Sequence, residues 1–373
     1  MDIRKNLLKV VTGMVIFFMV VCYSAESKPV IQVAILLDTS SSMEGLINQA
    51  RAYIWKMVNE FAKASKNGET PELQVALFEY GNNNLSAEEG WVRLIVPFTT
   101  DIDRIAEELF ALTTNGGTEC CGYVIKEAVE KLQWNKTNDD YKVIFIAGNE
   151  PFTQGYIDYK ESCKNAIKKG IIVNTIYCDD YHTGVTSGWK DGADIADGVY
   201  SCIDQNKSIV SIKTPYDERI AKFGQELNST YIAYGKQGSS GKKRQEKLEI
   251  IAEKNSKEGF LSRQVAKTSV HYNNTDWDLV DAYNQHNVEI EKLNKEELPV
   301  EMRNMSIKEQ RTYIESISKQ REEIKKKINE MGIQREKYIA EEMARISGDT
   351  DTFDKVLIKT IKTQAEKKHF TFN

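Results

Sequence analysis

The stretch Val33-Ala34-Ile35-Leu36-Leu37-Asp38-Thr39-Ser40-Ser41-Ser42-Met43 limits what this chain can fold into more than any other. A short apolar run ends abruptly in an aspartate and a cluster of hydroxyls. Too short for a buried helix and bounded by polar residues, it reads as a fully buried parallel strand. From Gly45 the spacing becomes helical, with Leu46, Ile47, Ala50, Tyr53, Ile54, Met57, Val58 and Phe61 on one face. A strand that delivers Asp-x-Ser-x-Ser to a helix start belongs at the carboxyl edge of an open sheet, where such folds bind ligands. One carboxylate and two hydroxyls suit a hard divalent cation, which takes oxygen ligands. The same residues also suit a local role, with Ser40 or Ser42 capping the helix and Asp38 shaping the turn.

The pattern alternates strand and helix from Val30 to about Gly235. Strands are expected at Leu73 to Tyr80, Trp91 to Val96, Tyr141 to Ala147, Ile171 to Tyr177 and Val199 to Ile203, and a further one at Ile209 to Ile212. Between them lie helices at Asp101 to Leu112, Glu119 to Leu132, Tyr156 to Lys169 and Pro215 to Leu227, with a short one inside Gly184 to Gly198. This order predicts a doubly wound, mostly parallel sheet with helices on both faces and right-handed crossovers.

Residues 237–243 are rich in Gly, Ser and Lys and read as a linker, after which the composition changes. Residues 244–373 hold one proline and three glycines and are dense in Glu, Lys, Arg, Ile and Gln. There Ile314, Ile317, Ile324, Ile328, Met331 and Tyr338 follow a near-heptad spacing that Arg321 and Arg335 interrupt, the pattern of a helical hairpin or coiled coil. Ser306 with Glu309 forms a capping-box start. Thr352 to Ala365 reads as a second amphipathic helix able to pack back on the first.

Three features now combine: Asp38-Thr39-Ser40-Ser41-Ser42 after the first strand, Gly116-Gly117-Thr118 before a mid-domain helix, and a strand ending in Gly148-Asn149-Glu150-Pro151. Together they resemble the von Willebrand factor type A (VWA) domain, over about Val30 to Ile203. The resemblance implies an α/β, VWA/Rossmann-like domain at 28–236, followed by an α-helical, coiled-coil-like region at 244–373. It also implies a metal-ion-dependent adhesion site holding Mg2+ or Mn2+. Asp38 would hold the metal, Ser40 and Ser42 would be hydroxyl ligands, and Thr118 would exchange with water. The third loop departs from the family. Where the family usually reads Thr-Asp-Gly, this chain reads Ala147-Gly148-Asn149-Glu150, so the expected aspartate falls on Gly148. Asn149 and Glu150 are the substitute ligands the sequence offers. The C-terminal stretches Trp277 to Ala282, Glu309 to Glu342 and Lys367 to Phe372 resemble the tails of exported bacterial proteins with this domain.

The first residues fit a signal peptide at 1–24. Arg4 and Lys5 are basic, Val10 to Val21 are largely apolar, and Cys22-Tyr23-Ser24 offers small residues for cleavage. The apolar core is too short for a convincing membrane span. The protein is therefore expected to be periplasmic or secreted. Lipidation at Cys22 is the weaker alternative, because Val20 and Val21 are poor residues to precede a lipidated cysteine. Cleavage leaves Cys120, Cys121, Cys163, Cys178 and Cys202, an odd number whose pairing the sequence leaves open.

The formal net charge of −5 gives no sign of nucleic-acid binding. Residues 28–240 hold 29 acidic and 21 basic side chains, a surface that favours cations or basic partners. No Gly-x-Ser-x-Gly elbow occurs. The nearest thing to a nucleophile–base pair is Cys121 with His182, which nothing in the sequence brings together. The expected function is a non-catalytic, protein-binding module of adhesion or scaffold type with a partly altered metal site. The alternatives are a structural protein that self-associates through its C-terminal helices around a vestigial site and, less favoured, a hydrolase.

Overall fold

A computed structural model describes residues 28–203, 212–347 and 353–372. The expected signal peptide with Cys22, and nearly all of the strand expected at 209–212, lie outside the described residues. The first half of the chain runs β1 (Val30–Asp38), α1 (Glu44–Phe61), β2 (Ala64–Ser65), β3 (Glu72–Tyr80), β4 (Val92–Thr99), α2 (Ile102–Ala111), α3 (Cys121–Lys131), β5 (Tyr141–Gly148), α4 (Tyr159–Lys168), β6 (Ile171–Tyr177), α5 (Tyr181–Thr186), α6 (Trp189–Ile195) and β7 (Tyr200–Cys202). Helices follow: α7 (Asp217–Ser229), α8 (Gly238–Asn255), α9 (Lys257–Ala266), α10 (Leu279–Asn284), α11 (Ile307–Ser347) and α12 (Phe353–Glu366), before a closing β8 (Thr371–Phe372).

The main sheet has the order β4-β3-β1-β5-β6-β7, and only β4 runs antiparallel to its neighbour. Strand β1 is central and its side chains alternate between the faces. Ile31, Val33 and Leu37 join α1 and α2 on one side. Ala34 and Leu36 join α3, α4 and α6 on the other. Asp38 ends β1 in register with Tyr80 at the end of β3, and Gly148 ends β5 alongside. Three parallel strands thus open their carboxyl ends at one place.

The C-terminal region corrects two expectations. Residues 237–243 are not an extended linker, because α8 begins at Gly238. Gly241 is there for close packing: a Cβ on it would lie 2.3 Å from the Trp277 ring. The helices after it form the α-helical region expected, and they pack on the first half of the chain. Leu248, Ala266, Ile361, Ala365 and Phe370 share one apolar cluster with β1 and α1. Finally, α12 contacts α1, β7 and β8. Its Gln364 amide bonds the Tyr141 hydroxyl at 2.8 Å and the Asn174 amide at 2.8 and 3.0 Å. β8 then pairs with β2. Amphipathicity says that α12 needs an apolar surface, and the sheet side supplies it in place of α11.

The near-heptad face of α11 is buried, with Ile314, Ile324, Ile328 and Met331 packed against α7, α9, α10 and the loops around them. Its start is the expected capping box: Glu309 accepts from the Ser306 N–H at 2.7 Å, and Ser306 Oγ accepts from the Glu309 N–H at 3.4 Å. Arg321 and Arg335 do not interrupt the seam; they lie in it, buried and paired with acids from other elements. No helix among the described residues is long and apolar enough to cross a membrane.

A second buried network ties α2 to α8 and α9. Arg263 is bonded to Asp103 and Glu249, and the Lys267 ammonium meets Glu249 at 2.9 Å and Asn228 Oδ1 at 2.7 Å. Burial raises the Glu249 carboxyl, but Lys267 and Arg263 outweigh it and bring it down to about 2. Burial pushes Lys267 down to about 8. The unfolded chain then holds that proton more tightly than the folded one, so this site's contribution to stability rises as pH climbs from about 8 towards the ordinary lysine value. Wild type is expected to gain stability relative to Lys267→Met between pH 8 and pH 10 in urea denaturation; a difference independent of pH contradicts this.

Candidate functional site

Asp38 occupies the last position of β1 and is fully buried. Its Oδ1 accepts the Ser40 N–H at 2.7 Å and shapes the turn into α1. Ser40 precedes the short 3-10 turn Ser41–Met43, yet its side chain caps nothing. It lies instead 3.2 Å from Ser42 Oγ, which in turn donates to Asn149 Oδ1 at 3.2 Å. Asp38 therefore does the local job with one oxygen only. Its Oδ2 is buried with no hydrogen-bond donor.

The glycine loop before α3 is laced to this edge. The Asn115 N–H donates to the Thr39 carbonyl at 3.0 Å, and the Asn83 N–H to the Gly116 carbonyl at 2.8 Å. The Asn82 amide donates to the carbonyls of Thr39 and Thr113 at 3.3 and 2.9 Å, which explains the asparagine-rich β3–β4 loop. Thr118 sits half-buried in this loop. No side-chain hydrogen bond joins it to Asp38, Ser40 or Ser42 among the described residues.

The next residue is the one that sequence reasoning passed over. Glu119 is 3% exposed, its backbone N–H donates to Gln154 Oε1 at 2.5 Å, and its Oε2 is buried without a donor. Gly81, at φ +78°, leaves the notch into which it fits. A Cβ on Gly81 would lie 2.6 Å from Glu119 Cγ and 2.9 Å from Asp38 Oδ1. Burial raises the Glu119 carboxyl to about 9, helped by the Asp38 charge beside it. Burial raises Asp38 to about 6, against the Ser40 N–H that favours its ionised form. Glu150 adds further repulsion to both. Two buried carboxylates side by side, each with one oxygen that no donor meets, hold a proton between them when nothing more positive is present.

The third loop reaches the site differently from the family pattern. A Cβ on Gly148 would come within 2.5 Å of Tyr80 Oη, 3.1 Å of Asp38 Oδ2 and 3.1 Å of the Trp189 ring. Tyr80, fully buried, donates to the Ala147 carbonyl at 2.9 Å and so fills the place an aspartate side chain would need. Of the two substitutes, Asn149 is joined to Ser42, while Glu150 contributes charge and, through its backbone carbonyl, holds Trp189 Nε1 at 2.8 Å. The aromatics Tyr177 with Trp189, and Tyr181 with Tyr200, pack ring against ring at the sheet end.

The pair Cys121 and His182 is not assembled as a nucleophile and base. Cys121 is buried, its Sγ 3.8 Å from Tyr80 Oη, and burial pushes its thiol well up. His182 is exposed on α5. Cys120, Cys121, Cys163 and Cys178 are buried free thiols. Among the described residues no group of three or more His, Cys, Asp or Glu side chains gathers around one point. Any cation here would be held by two carboxylates, hydroxyls and water.

Residues 32–187 match the family described as the von Willebrand factor type A domain. The chain carries a VWA domain. Among solved structures it is similar to BatB of Bacteroides thetaiotaomicron, at 16% identity and TM-score 0.35, over 47% of this chain and 90% of that one. An aerotolerance-related membrane protein of Bacteroides fragilis matches at 15% identity and TM-score 0.32, over 47% of this chain and 92% of that one. Proximal thread matrix protein 1 of the mussel byssus, solved with a zinc-occupied MIDAS motif, matches at 12% identity and TM-score 0.36, over 48% of this chain and 43% of that one. A sequence search of curated proteins finds no match.

Proposed function

We propose that this protein is an exported, non-catalytic module that captures a protein partner through a divalent cation held at the carboxyl edge of the sheet. The observation that carries the reading is Asp38 Oδ2, a fully buried carboxylate oxygen with no donor, set beside the paired hydroxyls of Ser40 and Ser42. Such an oxygen is costly to bury unless a cation or proton meets it. All the donors are oxygen, which fits Mg2+ or Mn2+. Asp38, Ser40, Ser42 and Thr118 would hold the ion, with Asn149 orienting Ser42. The bound ion would supply a positive centre for a partner's carboxylate. Export rests on the pattern of residues 1–24. Self-association through the C-terminal helices is the weaker reading, because the α11 seam already has partners within the chain.

Binding of the folded state alone raises stability by about 2.7 kcal/mol at a ligand concentration a hundredfold above Kd. Saturating Mn2+ is therefore expected to raise the Tm of the full chain, EDTA to reverse the rise, and Asp38→Ala to abolish it. A Tm that does not respond in wild type would refute the cation site.

A further inference from the structure

We propose that Glu119 is the second anionic ligand of this cation site, in place of the aspartate that the loop after β5 lacks. The proposal rests on the cation reading above and adds a residue to it. Neighbouring side chains block the usual solution, since Tyr80 Oη, Asp38 Oδ2 and the Trp189 ring crowd the direction in which a side chain on Gly148 would grow. The charge lost there is regained from the opposite side. Glu119 lies next to Thr118 on the glycine loop, and its stem fills the notch that Gly81 leaves against Asp38. It is 3% exposed, and its Oε2, like Asp38 Oδ2, is buried with no donor. Neither carboxylate has a lysine, arginine or histidine within ion-pair distance among the described residues. Two unneutralised buried anions side by side are costly, and one divalent cation offsets both.

The placement of Glu119 is also built. Its N–H is held by Gln154 Oε1 at 2.5 Å, so the loop after β5 contributes by positioning the new ligand. Its carboxylate joins Asp38, Ser40, Ser42 and Thr118 in a set of hard oxygen donors with no sulfur or imidazole among them. Such a set favours Mg2+ and Mn2+ over softer ions.

The test is calorimetric titration of Mn2+ into the full-length wild type and its Asp38→Ala, Glu119→Gln and Glu119→Asp variants, each melted in EDTA beforehand. Glu119→Gln keeps the shape and removes the charge, and is expected to weaken Mn2+ at least tenfold, since ligand charge sets affinity for hard cations. Glu119→Asp, which keeps the anion on a shorter stem, is expected to fall between the two. In EDTA Glu119→Gln should melt at or above wild type, because one buried carboxylate is gone. Affinity within twofold of wild type for Glu119→Gln, while Asp38→Ala abolishes binding, would overturn the proposal and leave the cation reading standing. An EDTA melt of Glu119→Gln far below wild type would also overturn it, by making Glu119 a residue that holds the fold. No Mn2+ binding by wild type would remove the cation reading itself, and this proposal with it.

Discussion

Replacing Arg321 by leucine is expected to destabilise the protein by about 3–5 kcal/mol, the cost of breaking a buried ion pair by removing one partner. The guanidinium is 1% exposed and meets Asp278 and Asp281 at 2.6 Å each. It also donates to the Thr230 carbonyl and lies 4.3 Å from the centre of the Tyr231 ring. Asp278 is fully buried and fixes backbone on two sides, accepting the Ile232 N–H at 2.6 Å and the Asp281 N–H at 2.9 Å. Burial raises its carboxyl even with Arg321 present. Without the guanidinium the charge has no counterpart, and α11 loses its hold on α10. Urea denaturation measures the cost. Because the residues share one network, Arg321→Leu with Asp278→Asn is expected to cost less than the sum of the singles. A loss below about 1 kcal/mol for Arg321→Leu, the level of an exposed pair, would contradict the network.

Restoring the family's aspartate with Gly148→Asp is expected to damage the protein and to leave cation affinity no better. The new Cβ meets Tyr80 Oη at 2.5 Å and the Trp189 ring at 3.1 Å. Overpacking of this kind costs about 1–3 kcal/mol. Burying a third carboxylate beside Asp38 and Glu119 adds to it, for a total of about 3 kcal/mol or more in metal-free protein. Denaturation in EDTA reads the loss, and Mn2+ titration reads the affinity. A variant as stable as wild type that binds Mn2+ more tightly would show that the third loop has room for its usual ligand, which this geometry denies.

The parts of the protein that depend on near neighbours in the chain were legible in the sequence. The apolar run of β1, its abrupt end at Asp38 and the helical spacing after Gly45 were enough to place a parallel sheet and the edge at which Asp38 ends its strand. The heptad positions of α11 were visible in the same way, as was the capping box at Ser306 and Glu309. What was not legible depends on residues far apart in the chain. Arg321 and Arg335 look like breaks in a seam until Asp278, Asp281, Asp217 and Glu258 arrive from other elements. The Gly/Ser/Lys stretch looks like a linker until Trp277 packs on Gly241. Glu119 looks like an acid at the start of a helix, where the dipole alone explains it. Its position directly after Thr118, on a loop aimed at the sheet edge, was the signal available. Tyr80 gives no signal at all, since an aromatic at the end of a strand is ordinary core.

The central claim is that the edge formed by Asp38, Ser40 and Ser42 holds one divalent cation. The most direct measurement is the number of Mn2+ ions bound per full-length chain, read by electron paramagnetic resonance for wild type and Asp38→Ala. One ion bound by wild type and none by Asp38→Ala is the predicted result. No ion bound by wild type, or equal binding by the two proteins, would contradict it.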